Sequence, residues 1–485
     1  MKRILLTAGI IALLAASIAL PCTIISGKTK DGVVWAGNNE DFYFDFNTYL
    51  NVLPPEGNLL GAVSFTYGTP DSHIQGGFNE AGLFFDINAL PAIPESDWAD
   101  WGTRKEFPGG EKAFFEHLLR TCPTVQEAIE LIKKYEIELI YGQVHLADRK
   151  GDFAIINNSG IRLSKTNYQI STNFNIFTRG PSDGGRHCWR FPIAAKMFQG
   201  REVSLETIRD ILDATQQTRL VGTIYSNVIS LTTGDAYNYY AGDFKNVYHF
   251  NLNKMMKMGK KSYLWRSLFP EAPVVKIWET YLKEGAQAAV EVFRKIKATI
   301  PEARQSEVLR HVFSSCLLRE NEYPDARVFF DEWLGVSGGK DKLTNLYHGL
   351  IHLTNGNVEE AKHHLEEQTK IDAIDEHAKK FDRPYAEIFL GLLEGSKPPG
   401  ANARFQLKGY QDAHFVCVLG LSYVPIINFL LKTKDGWAAD FALAPGTHHY
   451  AFLVDGEMVF DPANPNKEEI DTEDGKMTLN VKIVK

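Results

Sequence analysis

The sequence predicts an α+β protein of several domains: a layered sandwich of sheets and a few helices, then an all-helical stretch, then a small all-β sandwich. Three observations carry that prediction. The chain has 485 residues, more than one compact core accommodates. Short β-type runs dominate residues 22–265, helical spacing of apolar residues takes over across 271–395, and strand runs return at 402–485. Only two helical stretches interrupt the first region, so its strands do not alternate one for one with helices, and a doubly wound sheet does not fit.

The chain opens with Lys2 and Arg3, an apolar run from Ile4 to about Ala16, and the small-residue site Ser17-Ile18-Ala19. That pattern predicts a signal peptide cut before Leu20, so residues 1–21 read as leader plus short pro-segment and the protein as secreted or periplasmic. A retained anchor is the first alternative, although the apolar run falls short of the ~20 residues of a span. A lipoprotein modified on Cys22 is the second; Pro21 stands where such a site carries Gly or Ala. No later segment is apolar enough for an integral span.

In the first region the strand runs include Gly32 to Gly37, Gly82 to Ile87, Gln143 to Asp148 and Tyr225 to Ser230. The helical stretches are Glu111 to Arg120 with Val125 to Tyr135, and Leu205 to Ala214. In the second region Ala289, Ala326 and Ala361 open similar segments, with turn residues at Asn321 to Asp325 and Asn355 to Asn357. A period near 34 with a small residue at the helix crossing predicts tetratricopeptide-like helix pairs; a plain helical linker is the alternative. Lys397-Pro398-Pro399-Gly400 is a linker, and the strand runs beyond it, Phe415 to Leu419, Trp437 to Leu443 and Tyr450 to Val454, predict an immunoglobulin-like sandwich.

A net charge of −8 argues against a nucleic-acid or anionic-membrane partner, because nothing supplies a broad cationic surface. Five scattered cysteines form neither a disulfide framework nor a metal-ligand spacing, and no cofactor is expected. Cys122, Cys316 and Cys417 sit in apolar patterns as small hydrophobes. Cys22 is different. As the first residue of a processed chain it would own a free α-amine of pKa ~7.7–8.0, which could take the proton of its own thiol and return it to a leaving amine. Such a site also needs a carboxylate on the amine and donors for the tetrahedral oxyanion. Asp41, Asn88, Asn173 and Arg190 are candidates at suggestive positions, although each alone reads equally well as an ordinary turn or surface residue.

Together they resemble a family. The chain opens Cys22-Thr23, then carries Gly37-Asn38-Asn39-Glu40-Asp41, Asn79-Glu80-Ala81-Gly82-Leu83, Thr172-Asn173, Trp189-Arg190-Phe191 and Thr223-Ile224-Tyr225-Ser226-Asn227-Val228. In order and approximate spacing these resemble the choloylglycine hydrolase and penicillin V acylase group of N-terminal-nucleophile (Ntn) amidases, the linear amide C–N hydrolases. The resemblance implies an αββα sandwich over residues 22–265. It makes Cys22 nucleophile and base, Asp41 the partner of its amine, Asn173 an oxyanion donor with Asn88 beside it, and Arg190 the cation near the thiolate. One position departs: Asn38 stands where the family carries arginine, and a neutral donor cannot depress a thiol pKa by charge. Asn38, Phe42 and Phe65 are the substrate-side candidates, the two rings as an apolar acyl pocket or simply as core. Tyr43, Phe44, Phe46 and Tyr67 join the same aromatic group. A long or aromatic acyl chain on an amide nitrogen is the expected substrate, a description met by bile-salt conjugates, penicillin V, N-acyl homoserine lactones and N-acyl amino acids.

Residues 402–485 resemble glycogen-binding, early-set β-sandwich modules through Phe405 to Ala413, Asp435-Gly436-Trp437, Leu443 to Gly446, Tyr450 to Gly456 and Asp461 to Asn464. The aromatic platform expected after Leu419-Gly420 is replaced by Leu421 to Ile426, leaving Trp437 as sugar platform or core residue. The C-terminal domains are expected to contact protein or glycan. Two other functions compete with hydrolysis: a non-catalytic envelope binding protein, and an acyltransferase using the same acyl-enzyme.

Overall fold

The structure, a computed structural model, describes residues 22–484 except 43, 45, 91–92, 138, 140–141, 179–187, 218–221, 318–326, 339–342, 375–384, 399, 422–427, 444 and 473–474. The leader and pro-segment, Tyr43, the repeat turn Asn321 to Asp325 with Ala326, and positions 422–426 of the replaced platform therefore lie outside the described residues. The described residues divide into two compact units, 22–276 and 277–484.

Strands of the first unit are β1 (Thr23–Lys28), β2 (Val34–Phe42), β3 (Thr48–Leu53), β4 (Ala62–Tyr67), β5 (Ile74–Asn79) and β6 (Phe84–Ala89). A two-residue parallel pair follows, β7 (Lys105–Glu106) with β8 (Tyr135–Glu136). Then come β9 (Gly142–Ala147), β10 (Phe153–Asn157), β11 (Gly160–Leu163) and β12 (Tyr168–Ser171). The last four are β13 (Gly222–Ser230), β14 (Asp235–Tyr240), β15 (Asp243–Asn251) and β16 (Lys261–Leu264). They build a six-stranded sheet in the order β12-β1-β2-β13-β14-β15 and an eight-stranded sheet in the order β11-β10-β9-β6-β5-β4-β3-β16.

Four helices cover the outer faces: α1 (Gly110–Thr121), α2 (Val125–Lys134), α3 (Arg190–Gly200) and α4 (Leu205–Ala214). Helix α1 buries Phe114, Phe115, Leu118 and Leu119, spaced for one helical face, against Leu83, Phe85, Val144 and Leu146 of the larger sheet. Thr124 caps α2 by accepting from the Glu127 amide, while its hydroxyl also meets the Glu127 carboxylate. Helices α3 and α4 lay Ala194, Phe198, Ile208 and Ile211 on Ile25, Val228 and Tyr239 of the smaller sheet. Gly37 allows α4 this close: a Cβ there would sit 2.6 Å from the Asn227 carbonyl and 2.9 Å from Ile208. The motif Asn79 to Leu83 is a turn that docks α1. Asn79 accepts from the Leu83 amide and donates to the Leu119 and Cys122 carbonyls, and Gly82 takes a φ of 87°.

The inner faces of the two sheets meet. Phe65 of β4 packs on Tyr225 of β13, and His145 of β9 hydrogen-bonds Ser26 of β1 at 2.7 Å and Ser171 of β12 at 2.9 Å. Burial pushes the His145 imidazole down to about 3, so it is a neutral bridge at physiological pH. The first unit is thus helices, sheet, sheet, helices, with polar groups in the middle layer.

The second unit begins with helices, among them Ala286–Ile296, Glu302–Leu317, Arg327–Ser337, Thr344–Thr354, Val358–Ile374 and Tyr385–Leu393. Helices Thr344–Thr354 and Val358–Ile374 pack together, with Ala361 fully buried. Among the described residues no helix is long and apolar enough to cross a membrane. Two facing sheets follow. One has the order β17 (Ala403–Lys408), β20 (Gly436–Phe441), β19 (Leu431–Thr433). The other contains β18 (Val416–Leu419), β21 (Gly446–Val454), β22 (Glu457–Val459), β23 (Lys467–Thr472) and β24 (Gly475–Val484). They share a core of Phe405, Leu407, Trp437, Phe441, Val418, Tyr450 and Phe452. Trp437 is a core residue, its indole N–H donating to the Tyr410 carbonyl at 2.9 Å, and it presents no exposed ring.

His145→Ala leaves two buried hydroxyls without their partner. The expected loss is about 2–3 kcal/mol of unfolding free energy, read from the denaturant midpoint. Because the unfolded chain's imidazole takes up a proton below about pH 6.5 while the folded one stays neutral, the loss should be smaller at pH 5 than at pH 8.

Candidate active site

Cys22 lies one residue ahead of β1, between β2 and β12, and is 1 % exposed. Side chains alternate along a strand, so Cys22, Ile24 and Ser26 point between the sheets while Thr23 and Ile25 point toward α3 and α4. The same alternation divides Asn38-Asn39-Glu40-Asp41 on β2. Asn38 and Glu40 join Cys22 in the middle layer; Asn39 and Asp41 face the helices with Thr23.

The thiol side is built on Glu40. The Cys22 Sγ donates to Glu40 Oε1 at 3.3 Å. The Tyr67 hydroxyl donates to the same oxygen, Asn38 Nδ2 donates to Oε2 at 3.2 Å, and the Tyr225 hydroxyl adds a further bond. Asn38 is itself held by Asn227, whose amide donates to its Oδ1 at 2.7 Å. Burial raises the Glu40 carboxyl from an ordinary 4.5 to about 7, with the donors from Tyr67, Cys22, Asn38 and Tyr225 pulling the other way. The Cys22 thiol is pushed well up, first by burial, then by the negative charges of Glu40, Asp41 and Asp86, and a backbone hydrogen bond from Asp41 opposes this. Both phenols are pushed up by burial and by Glu40, so they stay protonated as donors. Asp86 on β6 is raised by burial and by Glu40.

The helix side is built on an ion pair. Arg190, the first residue of α3, places Nη1 3.1 Å from Asp41 Oδ2 and 3.0 Å from Thr23 Oγ1, with all three groups buried. Its Nη2 donates to Asn173 Oδ1 at 2.5 Å. Thr223 donates to the other Asp41 oxygen. Burial raises the Asp41 carboxyl, and the Arg190 charge opposes that rise. Asn173 in turn donates to the Ala89 carbonyl at 2.8 Å, and Asn88 donates to the Cys22 carbonyl at 3.1 Å, so the end of β6 is tied to the start of β1. Buried side-chain oxygens here without a hydrogen-bond partner include Asp86 Oδ2, Asn88 Oδ1, Gln143 Oε1 and Asn227 Oδ1.

One irregularity lets both carboxylates find a hydroxyl on the same neighbouring strand. Asp41 pairs with Thr223, but Glu40 pairs with Tyr225 because Ile224 is an extra residue in β13. That bulge reverses the alternation between Thr223 and Tyr225.

The structure therefore gathers Cys22, Asp41, Asn88, Asn173 and Arg190 at one end of the paired sheets. It sets Arg190 on the Asp41 side of β2; the group on the sulfur is Glu40. Phe42 packs on Phe46 and Tyr67 at 4.7 and 5.1 Å between centroids, and Phe65 packs on Tyr225 and Trp265 at 6.1 and 5.3 Å. Both rings are buried and back the two tyrosines that hold Glu40. Sequence reasoning did not assign roles to Glu40, Asp86, Thr223 or Tyr225. Strand alternation puts Glu40 and Asp41 on opposite faces of β2, but which of them faces the thiol follows only from the register of β2 against β1. Among the described residues no three His, Cys, Asp or Glu side chains converge as they would around a metal ion.

No protein-family model and no curated protein matches the chain. Solved structures with a related chain path include a variant of conjugated bile acid hydrolase from Clostridium perfringens. It is 16% identical, with a TM-score of 0.41, covering 50% of this chain and 97% of that one. Penicillin V acylase from Agrobacterium tumefaciens gives 16% identity and a TM-score of 0.36 over 48% of this chain and 87% of that one. Likeness of this degree assigns no role to any residue.

A carboxyl raised by folding gives a defined pH signature. Below about pH 4.5 Glu40 is protonated in both folded and unfolded chains. As pH rises through about 7 the unfolded chain has already released that proton while the folded chain still holds it, so stability is lost across this window. Glu40→Gln should flatten the decline between pH 4.5 and 7.5 by up to about 3 kcal/mol, at 1.36 kcal/mol per pH unit, in thermal melts run at fixed pH.

Proposed function

We propose that the protein is a cysteine amidase of the Ntn type that hydrolyses a linear amide C–N bond of an N-acyl substrate through a thioester on Cys22. The observation that supports this reading most is the pairing of the Cys22 thiol with the Glu40 carboxyl. A thiol 3.3 Å from a buried carboxylate, with its own carbonyl held by Asn88, is a nucleophile beside a proton acceptor. The sulfur attacks the acyl carbon, the C–N bond breaks as the nitrogen takes up a proton, and water then cleaves the thioester. Asn88 and Asn173 are the reading's donors to the tetrahedral oxygen. The unpartnered amide oxygens of Asn88 and Gln143 suit the N–H of an amide substrate.

Asp41 and Arg190 are assigned as the buried pair that fixes the nucleophile strand. Phe42 and Phe65 border the same layer and suit a long or aromatic acyl chain. Export to the periplasm or medium belongs to this reading, as does a chain whose α-amine is freed at Cys22 by processing. The early-set and tetratricopeptide-like segments are read as contacts for protein or glycan.

One observation favours a second reading, a non-catalytic envelope binding protein: the Cys22 thiol is buried and its ionisation suppressed, as in an inert core cysteine. A thiol-directed acyl probe separates the two. Covalent acylation of Cys22, seen by peptide mass spectrometry, and loss of hydrolysis across a panel of N-acyl amides in Cys22→Ala by at least about 10³-fold are expected. Turnover that survives in Cys22→Ala, or no acylation of the native chain, would sink the amidase reading.

A further inference from the structure

We infer that Glu40 is the proton carrier of this site: its carboxylate takes the Cys22 thiol proton as the sulfur attacks, and returns that proton to the departing nitrogen. The inference rests on reading Cys22 as the nucleophile. It adds a catalytic group that touches the reacting atom, and it does not need the α-amine.

The geometry is specific. Among the described side chains, Glu40 is the one that accepts from the Cys22 Sγ. It is fixed from three directions by Tyr67 on β4, Asn38 on β2 and Tyr225 on β13. The charged and titratable groups facing it are Cys22, Tyr67, Tyr225 and, from the opposite sheet, Asp86; Asp41 and Arg190 lie on the other side of β2. Among the described side chains no cation reaches the sulfur to stabilise a free thiolate, and burial and nearby carboxylates oppose one. A thiol in that setting becomes nucleophilic by handing its proton directly to a neighbour. A carboxyl titrating at about 7 is half available to accept near neutral pH and acidic enough to give the proton back.

The steps balance. The S–H bond breaks, its proton goes to Glu40 Oε1, and the sulfur electron pair forms the C–S bond. The tetrahedral oxygen reforms its carbonyl, the C–N bond breaks, and the Glu40 proton goes to nitrogen, giving a free amine and a thioester. Water then gives a proton to Glu40 as its oxygen forms the new C–O bond. The C–S bond breaks, and the sulfur recovers its proton from Glu40.

The test is the pH dependence of Cys22 alkylation by iodoacetamide on the full chain, followed by peptide mass spectrometry from pH 5 to 9. In the native protein the rate should rise through an inflection near pH 7. Glu40→Gln should lower the rate at pH 7.5 by about 10²-fold and remove that inflection, leaving only the rise of the thiol's own higher titration. Glu40→Asp should keep the inflection at a reduced rate. A chain with residues retained ahead of Cys22, whose α-amine is blocked, should show the same inflection as a chain that begins there.

The inference is overturned if Glu40→Gln alkylates as the native protein does, if the inflection disappears when residues precede Cys22, or if native Cys22 is not alkylated at any of these pH values. Should Glu40→Gln fail to fold, Tyr67→Phe removes one donor from the carboxylate and must move the inflection to higher pH; an unmoved inflection is equally fatal. The readout uses no amide. Loss of the inflection in Glu40→Gln with no amide turned over by the native chain ends the amidase reading and leaves the thiol–carboxyl couple intact. Hydrolysis abolished in Cys22→Ala but unchanged in kcat in Glu40→Gln overturns the inference and leaves the amidase.

Discussion

Two sheets packed face to face must bury whatever points inward, and here much of it can ionise. Glu40, Asp86, Cys22, Tyr67, Tyr225 and His145 all lie between the sheets of the first unit. A buried charge without partners is costly, so each group must either be neutral or be surrounded by donors. His145 takes the first route, burial pushes Asp86 the same way, and the phenols remain protonated. Glu40 alone is caught between the two, with burial pushing it toward the acid and its donors toward the carboxylate. The site's chemistry is a consequence of that balance.

The helix side solves the same problem differently. Asp41 and Arg190 neutralise each other, and Thr23, Thr223 and Asn173 occupy most of their remaining capacity. Breaking such a pair by removing one member strands a buried charge, whereas the intact pair is inert. The two halves of the site therefore differ in temper: one is a scaffold of opposite charges, the other a proton-exchanging group of near-neutral pKa. Only the thickness of one strand separates them.

The gross organisation was legible because periodicity is local. Helical spacing in Glu111 to Arg120 and Leu205 to Ala214, and strand runs at Gln143 to Asp148 and Tyr225 to Ser230, appear as helices and strands where the sequence places them. Cys22, Asp41, Asn88, Asn173 and Arg190 came together only through a resemblance in motif order, since none of the four partners of Cys22 stands out alone. What sequence could not rank was Glu40 against Asp41. They are adjacent, equally acidic and equally buried, and only the register of β2 against β1 and β13 tells which faces the thiol. That register depends on a partner strand some 180 residues away, and on one extra residue within it. Trp437 shows the converse: its sequence context allowed an exposed ring or a core one, and the facing sheet supplied by Tyr450 and Phe452 decides for the core.

The bulge at Ile224 acts as a change of parity. Without it, Thr223 and Tyr225 would share one face, and a hydroxyl serving one carboxylate would leave the other facing Ile224. With it, a single strand services two chemically unrelated compartments. A residue on the thiol face, such as Asn38, can then be exchanged without touching the Asp41–Arg190 anchor. The polar surroundings of the sulfur and the strand's ionic anchor are thereby separable parts of one scaffold.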